Sequence, residues 1–284
     1  MQFAPNSQKI RTIAKELRVD VLTMINAAGS GHTAGSLGMA DVFATLYCST
    51  NLLCFDALNP KWDKRDIVIL SNAHINPILY ATLSKVGYFE KSELLTLRKF
   101  GSRLQGHPNN HSDHGGGNIG IETSGGPLAQ GMSIAVGFAL SKKLKKNNSF
   151  VFCFCSDGEL NEGQAWESIM SASKYKLNNL IFVIDRNNIQ IDGESNNIMP
   201  LEPLHEKFKS FGCDVLNVDG HDIDKIYNAF LYAKRNQLQK PVALIMHTIP
   251  GKGVGFMENN YKWHGKAPNN EELSKALKIL NQSK

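Results

Sequence analysis

A strand–helix–strand pattern between residues 150 and 184 constrains the fold more than any other feature of the sequence. It opens with a short, aromatic-rich apolar run at 150–155 and closes with a second apolar run at 180–184. Between them, apolar residues recur at helical spacing from 165 to 173, after Asn161, which is a favourable residue to cap the helix. Such runs predict buried strands, and the three elements together predict a βαβ unit. In such a unit the crossover is right-handed and the two strands run parallel, usually as neighbours.

Two oxygen-bearing side chains follow the predicted strands. Asp157 lies just beyond the first strand and Asn187 just beyond the second. Because neighbouring parallel strands end at the same edge of a sheet, these side chains can converge on one cation. With a backbone carbonyl, for which we take Ile189, they form half of the octahedral oxygen shell that Mg²⁺ prefers. Mg²⁺ usually completes its shell with water and substrate phosphates, so this site calls for a phosphate ligand.

The residues that follow Asp157 suit such a ligand. Gly158 has no Cβ and lets a phosphate approach the backbone, and a helix that begins near Asn161 directs free N–H groups and the positive end of its dipole at it. An Asp-Gly pair is more often only a turn, however, and an Asn-Asn pair only a loop. On these residues alone the structural alternative stays open.

Composition limits the class of protein. A chain of 284 residues with 42% apolar content can form one large or two ordinary domains with a substantial core. No window approaches eighteen apolar residues and the N-terminus has no apolar signal core, so we expect a soluble cytoplasmic protein without a membrane partner. Five cysteines, an odd number without a CxxC pair, predict no disulfides.

The net charge of +5 raises the question of a nucleic-acid partner. The lysines are scattered, and their one local cluster, at positions 142, 143, 145 and 146, falls near the end of a predicted helix. There they complement the helix dipole, so we expect no nucleic acid to bind. A mild positive field also suits anionic sugar phosphates.

Further segments with clear patterns flank the central unit. Apolar spacing predicts helices at 6–28, 77–86 and 128–145, and short apolar runs predict strands at 67–70, 214–219 and 241–248. Gly137 stands in the middle of the third helix, where glycine costs about 1 kcal/mol relative to alanine. We therefore expect this helix to pack tightly against a neighbour at Gly137.

Four histidines lie in loops beside these segments. His32 follows Ser-Gly, His74 follows the strand at 67–70, His107 stands in Gly-His-Pro, and His264 in Trp-His-Gly. Each of them has a structural alternative, because histidine has many uses in loops.

Two other site types are open in the same region. His107, His111 and His114 are close enough in sequence for a zinc site, although the segment lacks cysteine and a helix to fix ligand geometry. Residues 115–120 match G-x-G-x-x-G, but no strand precedes them, so a dinucleotide site is only weakly indicated.

Taken together, these motifs resemble the transketolase family. The central segment is similar to the thiamine diphosphate (ThDP) signature of transketolases in Asp-Gly at 157–158, Glu-Gly at 162–163, Trp-Glu at 166–167, Asp and Asn at 185 and 187, and Ile-Asp-Gly at 191–193. The Ser-Gly-His, Gly-His-Pro and Trp-His-Gly segments match as well, and residues 121–131 resemble the family's Glu-x-x-x-Gly-x-Leu-x-Gln-Gly segment. The resemblance covers about residues 14–265, which correspond to only the first part of a full-length transketolase.

The resemblance implies an α/β fold with a doubly wound, mostly parallel sheet and helices on both faces, the diphosphate-binding (PP-type) domain of ThDP enzymes. We expect one such domain over residues 1–284, with a C-terminal tail from about 266. The implied metal ligands for Mg²⁺ are Asp157, Asn187 and Ile189. The implied ThDP-binding residues are His74, Gly126, Pro127, Leu128, Gly158, Glu162, Asn187, Ile191 and His264. The implied catalytic residues, which orient sugar hydroxyls and move protons, are His32, His107 and His264.

The resemblance also implies a partner. A full transketolase adds a pyrimidine-binding domain, whose glutamate protonates the cofactor, and a C-terminal domain, and these 284 residues contain no counterpart of either. We therefore expect the N-terminal subunit of a split transketolase, active only with a separately encoded C-terminal subunit, in an α2β2 assembly. It would transfer a two-carbon ketol unit from a ketose phosphate to an aldose acceptor.

Two departures from the family pattern point to a specialised pathway. Ser156 and Ala73 stand where the family usually has glycine. We expect an unusual substrate, such as a branched-chain or sulfonated sugar, rather than the pentose phosphate pathway. Two alternatives stay open: the α subunit of another ThDP enzyme such as a 2-oxoacid dehydrogenase, and a non-catalytic regulatory subunit.

Overall fold

A five-stranded parallel sheet forms the centre of the protein, as seen in a computed structural model that describes residues 6–110, 120–235 and 238–282. The strands in chain order are β1 (Ile67–Leu70), β2 (Val151–Ser156), β3 (Leu180–Arg186), the short β4 (Ile189–Gln190) and β5 (Gly193–Glu194), β6 (Asp214–Asp219) and β7 (Val242–His247). The sheet order is β1-β2-β3-β7-β6, and all its neighbours run parallel. Strands β4 and β5 pair with each other in a separate antiparallel hairpin.

Helices surround this sheet. They are α1 (Ser7–Ala28), α2 (Thr33–Gly38), α3 (Ala40–Cys48), α4 (Asn76–Lys85), α5 (Gln130–Leu144), α6 (Gly163–Lys174), α7 (Ser195–Ile198), α8 (Leu204–Ser210), α9 (Ile223–Arg235) and α10 (Asn270–Gln282). The predicted helices and strands are confirmed to within a few residues. None of the helices in the described part of the chain has the length and apolar character that a membrane span needs.

Two apolar cores lie on opposite faces of the sheet. Phe152 and Phe154 of β2 point into the core that α1, α3, α4 and α9 cover. Cys153 and Cys155 of the same strand point into the core that α5, α6 and α8 cover. A strand buried on both faces must be apolar throughout, which explains the unbroken apolar runs. The doubly wound α/β fold with helices on both faces is therefore confirmed.

The β2–α6–β3 unit places the predicted metal ligands where the sequence indicated. Ser156 pairs with Asp185 in the β2–β3 register, so both strands end at one level. Asp157 is the next residue after β2, and Asn187 is the next residue after β3.

The predicted helix cap at Asn161 is wrong. A 3₁₀ turn, Gly158–Asn161, comes first, and α6 begins only at Gly163 after Glu162 at the N-cap. The turn forms because the Asp157 carboxylate accepts the Gly158 N–H and the Asp157 carbonyl accepts the Leu160 N–H. The Asn161 side-chain oxygen instead accepts a hydrogen bond of 3.0 Å from Gln190.

The segment that we expected to be a tail contains α10. Its Ala276 and Leu280 are buried in the core shared with α1. By contrast, the neighbour expected at Gly137 is not found: a Cβ at this exposed position would meet no described atom within 4 Å. His111, His114 and residues 115–119 lie outside the described residues, so the zinc and dinucleotide alternatives stay untested.

The lysines at the end of α5 cap backbone carbonyls. Lys142 donates a 2.5 Å hydrogen bond to the Asp63 carbonyl, and Lys143 donates to the carbonyls of Tyr175 and Lys176 at 2.9 and 2.7 Å. These carbonyls belong to other segments and Lys142 is buried, so the two lysines connect α5 to its neighbours, and their expected effect on the helix dipole stays a prediction.

Candidate active site

A pocket of about 330 Å³ lies at the carboxyl ends of β2 and β3. This volume is at the lower end of the range for small-molecule sites. Ten of the predicted site residues line it: His32, His74, His107, Gly126, Leu128, Gly158, Asn187, Ile189, Ile191 and His264. Four residues join them that were not predicted as ligands: Ser156, Glu159, Gln190 and Asp192.

Larger cavities, of about 470 and 550 Å³, lie near the other end of the sheet, where Phe150 and Asn179 precede β2 and β3. Two of the lysines that line them already have partners. Lys143 caps carbonyls, and Lys234 pairs with the buried Asp66 at 3.0 Å. These cavities lack the histidines and the strand ends that a ThDP site needs, so the smaller pocket is the candidate.

Three histidines from distant parts of the chain meet in this pocket. The ring centroids of His32 and His74 are 5.0 Å apart, those of His32 and His264 are 5.5 Å apart, and those of His74 and His264 are 5.2 Å apart. His107 lines the same pocket. The four histidines to which the resemblance assigns roles therefore line one pocket, while the roles themselves stay predictions.

The pocket keeps its histidines uncharged. Burial, together with the neighbouring His264 and Arg98, lowers the pKa of His32 to about 4. Burial also lowers the pKa of His74 well below its usual value, and those of His107 and His264 below theirs. At neutral pH each ring therefore has one N–H donor and one acceptor nitrogen to offer.

Several buried polar atoms in and beside the pocket lack partners. Nδ1 of His32, Nδ1 of His264 and both polar side-chain atoms of Asn72 have no hydrogen-bond partner among the described residues. Unpaired buried polar groups are costly, and native proteins leave few of them. These buried atoms have no partner among the described residues, which is unusual for a native protein.

The segment that leads from β7 to His264 is hydrogen-bonded to α2 and to His221. The Gly251 N–H donates to the Ala34 carbonyl of α2 at 2.8 Å, and the Ile249 N–H donates to Nε2 of His221 at 2.7 Å. His221 in turn donates from Nδ1 to Asp41 at 2.8 Å. Because α2 begins directly after His32, these contacts fix the loops of His32 and His264 against each other.

Asp157 is fully buried and strongly hydrogen-bonded. One oxygen accepts the Gly158 N–H at 2.8 Å, and the other accepts the Asn188 N–H at 2.7 Å and Nη1 of Arg186 at 2.8 Å. Burial raises the pKa of Asp157, and Arg186 acts against this rise. The same arginine reaches Asn196 at 2.7 Å and Glu202 at 3.1 Å, so it ties the segment after β5 to Asp157.

Asn187 is held between two neighbours. Its side-chain N–H donates to Asp185 at 2.7 Å, and its side-chain oxygen accepts the Ile189 N–H at 3.0 Å. Burial raises the pKa of Asp185 to about 7, although hydrogen bonds from Thr248 and Asn187 oppose the rise. These contacts fix the amide oxygen of Asn187 at the end of β3.

Three predicted residues do not line the pocket. Asp157 lies buried beneath it, and Pro127 is exposed beside Gly126 and Leu128. Glu162 is exposed at the start of α6. Their roles toward a cofactor stay predictions.

Sequence reasoning missed three polar residues of the site. Glu159 is fully buried in the pocket wall, Arg186 pairs with Asp157, and Arg98 lies against Gly106 and donates to Ser30 at 3.2 Å. For Arg186 and Glu159 the sequence offered one signal, a charged residue close to the end of a predicted strand. Arg186 lies inside the motif itself, and Glu159 lies two positions after Asp157.

Comparisons with known proteins agree with this geometry. A family model described as transketolase, thiamine diphosphate binding domain, matches residues 9–282. The 6-deoxy-6-sulfo-D-fructose transketolase subunit of Clostridium sp. (strain MSTE9) is 39% identical over 251 residues, which are 88% of each chain. One subunit of the apulose-4-phosphate transketolase of Phocaeicola vulgatus is 34% identical over 93% of this chain and 91% of that one.

Full-length transketolases match over only part of their length. Human transketolase is 33% identical over 92% of this chain but 41% of its own. The crystal structure of transketolase from Campylobacter jejuni superposes with a TM-score of 0.87 at 31% identity, over 99% of this chain and 43% of that one. Family model, relatives and fold agree: the chain belongs to the transketolase family, and it corresponds to the ThDP-binding domain.

Proposed function

We propose that this chain is the N-terminal, ThDP-binding subunit of a two-chain transketolase, which transfers a two-carbon ketol unit from a ketose phosphate to an aldose acceptor. The observation that carries the proposal is the pocket in which His32, His74 and His264 meet beside the ends of β2 and β3. Two relatives that match over most of their length are named as transketolase subunits, which supports the two-chain assignment.

The residues at the strand ends fit a Mg²⁺ ion. One carboxylate (Asp157), one amide oxygen (Asn187) and one backbone carbonyl (Ile189) are hard oxygen donors of the kind that Mg²⁺ prefers. The two side chains are fixed by hydrogen bonds before any metal binds. Partial shells of this kind leave positions for water and phosphate oxygens.

The residues around the strand ends fit ThDP. Gly158 and Gly126 leave room for a diphosphate beside the backbone, and Leu128 and Ile191 offer apolar surface for rings. We assign the diphosphate to His74, Gly158, Asn187 and His264, and the remaining contacts to Gly126, Pro127, Leu128, Glu162 and Ile191. ThDP supplies the reactive carbon to which the two-carbon unit is transferred.

The neutral histidines fit the sugar chemistry. Burial lowers the pKa values of His32 and His264, and partial desolvation together with Arg98 lowers that of the more exposed His107, so all three are neutral at neutral pH. Each can therefore donate a hydrogen bond to a sugar hydroxyl from one nitrogen and accept a proton at the other.

Activity would require a second subunit. Leu128 and Ile191 line the pocket with 39% and 70% of their surface exposed, and large apolar residues this open are typical of surfaces that a partner covers. We propose that a separately encoded C-terminal subunit covers them, supplies the pyrimidine-binding domain with its glutamate, and forms an α2β2 assembly.

All five cysteines are free thiols, which fits the reducing cytoplasm.

The substrate would be an unusual ketose. The two relatives are named for 6-deoxy-6-sulfo-D-fructose and for apulose 4-phosphate, a sulfonated and a phosphorylated sugar. We propose a branched-chain or sulfonated ketose as the substrate rather than one of the pentose phosphate pathway. The test is a ketol-transfer assay of this chain mixed with the C-terminal subunit encoded beside it, using sulfonated, branched-chain and pentose ketoses. Activity of the mixture, with none from either chain alone, is expected; inactivity with all of them would contradict the proposed reaction.

A further inference from the structure

Glu159 makes contacts that no motif of the sequence accounts for. Its side chain is fully buried in the pocket wall, in the 3₁₀ turn that follows Asp157. None of the ion pairs among the described residues includes it, so hydrogen bonds alone stabilise its carboxyl group.

Those hydrogen bonds come from three separate segments around the pocket. One oxygen accepts the Ala129 N–H at 2.6 Å and a short hydrogen bond from the Ser71 hydroxyl. The other accepts the Ser156 N–H at 3.1 Å. Ser71 follows β1 and leads to His74, Ala129 follows the loop of Gly126 and Leu128, and Ser156 ends β2.

Ala129 is held in an unfavourable backbone conformation. Its φ of 63° lies in the left-handed region, which residues with a Cβ adopt rarely. Such conformations persist only where surrounding contacts impose them, and they cluster at functional sites. The Ala129 N–H donates a 2.6 Å hydrogen bond to Glu159, which holds the residue at this position.

The start of α5 is packed directly on Ser71. A Cβ added to Gly131 would lie 2.6 Å from the Cα of Ser71, so the two backbones are in close contact. The Glu159 carboxylate therefore connects the segment that begins at Ser71 to the loop that ends at Ala129. These two segments lie so close together that a side chain at Gly131 would not fit.

We propose that Glu159 is a positioning residue for the cofactor: its carboxylate fixes the loop of residues 126–129 and the Ser71–His74 segment at the spacing that ThDP requires. This inference rests on the proposed ThDP site and deepens it. Glu159 acts through the backbone that it holds, not through contact with reacting atoms.

The first test uses this chain alone and needs no cofactor. Hydrogen–deuterium exchange is measured on residues 129–131 in wild type, Glu159→Gln and Glu159→Ala. We expect at least tenfold faster exchange in Glu159→Ala and an intermediate rate in Glu159→Gln, whose amide oxygen still accepts from Ala129. Asp66→Asn is the matched control, since this buried carboxyl accepts backbone N–H groups of Cys54 and Phe150 before β1 and β2.

The second test measures ThDP affinity in the two-chain complex. We expect Glu159→Gln to raise the Kd of ThDP at least tenfold, and the same change in an Ala129→Gly background to raise it clearly less, because glycine adopts the left-handed conformation without support. Asp66→Asn should leave the Kd unchanged.

Two results would overturn the inference: unchanged exchange at residues 129–131 in Glu159→Ala, or the same loss of affinity with and without Ala129→Gly. If wild type binds no ThDP, the proposed function fails, and the exchange measurement still decides the role of Glu159.

Discussion

Asp157, the expected carboxylate ligand of Mg²⁺, lies 2.8 Å from the guanidinium of Arg186. Both side chains are buried, with 1% and 6% of their surface exposed. The arginine lies between Asp185 and Asn187 in sequence, inside the motif that suggested the metal site. The Arg186 guanidinium therefore binds the same Asp157 carboxylate that we expect to bind Mg²⁺.

Replacement of Asp157 by Asn should remove the magnesium dependence of ThDP binding. A direct ligand is expected to contribute more than the 10–100-fold typical of outer partners, so affinity should fall by more than roughly 100-fold. Titration calorimetry with ThDP and Mg²⁺ measures this. Asp66→Asn, which also removes a buried carboxylate from a cationic partner, should bind normally. Unchanged affinity in Asp157→Asn would exclude the proposed ligand set.

Replacement of Arg186 by Met should destabilise the fold more than loss of a surface pair. It leaves Asp157 buried without its cation, a change that typically costs about 3–5 kcal/mol. Glu202→Gln removes only the partner whose side chain is 57% exposed, and should cost less than about 1 kcal/mol. Urea denaturation of both variants gives the comparison. Equal losses of unfolding free energy in the two variants would show that the buried Arg186–Asp157 pair contributes no more to stability than the exposed Arg186–Glu202 pair.

His107→Ala should separate catalysis from stability. The residue is exposed at the pocket, so the free energy of unfolding should change by less than about 0.5 kcal/mol. Loss of a group that donates or accepts a proton typically lowers the rate about 10²- to 10⁴-fold. Ketol transfer by the two-chain complex is the assay, with His205→Ala, outside the pocket, as control. A kcat/KM like that of the control would remove His107 from the catalytic set.

The histidine cluster should make the protein without cofactor less stable in acid. The pKa of His32 falls from 6.5 to about 4 on folding, because burial and the nearby His264, Arg98 and His107 disfavour its cation. The unfolded chain therefore binds more protons, and the stability that neutral His32 contributes is present above pH 6.5 and lost as the pH falls toward 4.

The difference between wild type and His32→Gln isolates this effect. The difference in unfolding free energy between wild type and His32→Gln should change by on the order of 1 kcal/mol between pH 7 and pH 5, after allowance for the partial exposure of the His32 ring. Asp185, whose raised pKa of about 7 acts with the opposite sign, is common to both proteins and cancels. Parallel pH curves would show that His32 is not held neutral.

The parts predicted from sequence are those governed by local pattern. The unbroken apolar run of β2 requires burial on both faces. The two strands of a βαβ unit run parallel and are usually neighbours, so the positions of Asp157 and Asn187 at adjoining strand ends were predicted correctly. Convergence of His32, His74 and His264 is not a local property, and only the family resemblance indicated it.

The parts missed depend on contacts between distant segments. Arg186 and Glu159 are charged residues beside strand ends, where sequence alone favours exposure. They are buried because partners arrive from elsewhere in the chain, Asn196 and Glu202 for the arginine, and Ser71 and Ala129 for the glutamate. The cap predicted at Asn161 failed for a similar reason, because the Asp157 carboxylate started a 3₁₀ turn ahead of the helix.

The most direct test of the account is a crystal structure of this chain with its partner subunit, ThDP and Mn²⁺ in place of Mg²⁺, in which anomalous scattering locates the metal. The account predicts one metal peak bound by the carboxylate of Asp157, the side-chain oxygen of Asn187 and the carbonyl of Ile189. A peak away from the ends of β2 and β3, or ThDP bound outside the histidine pocket, would contradict it.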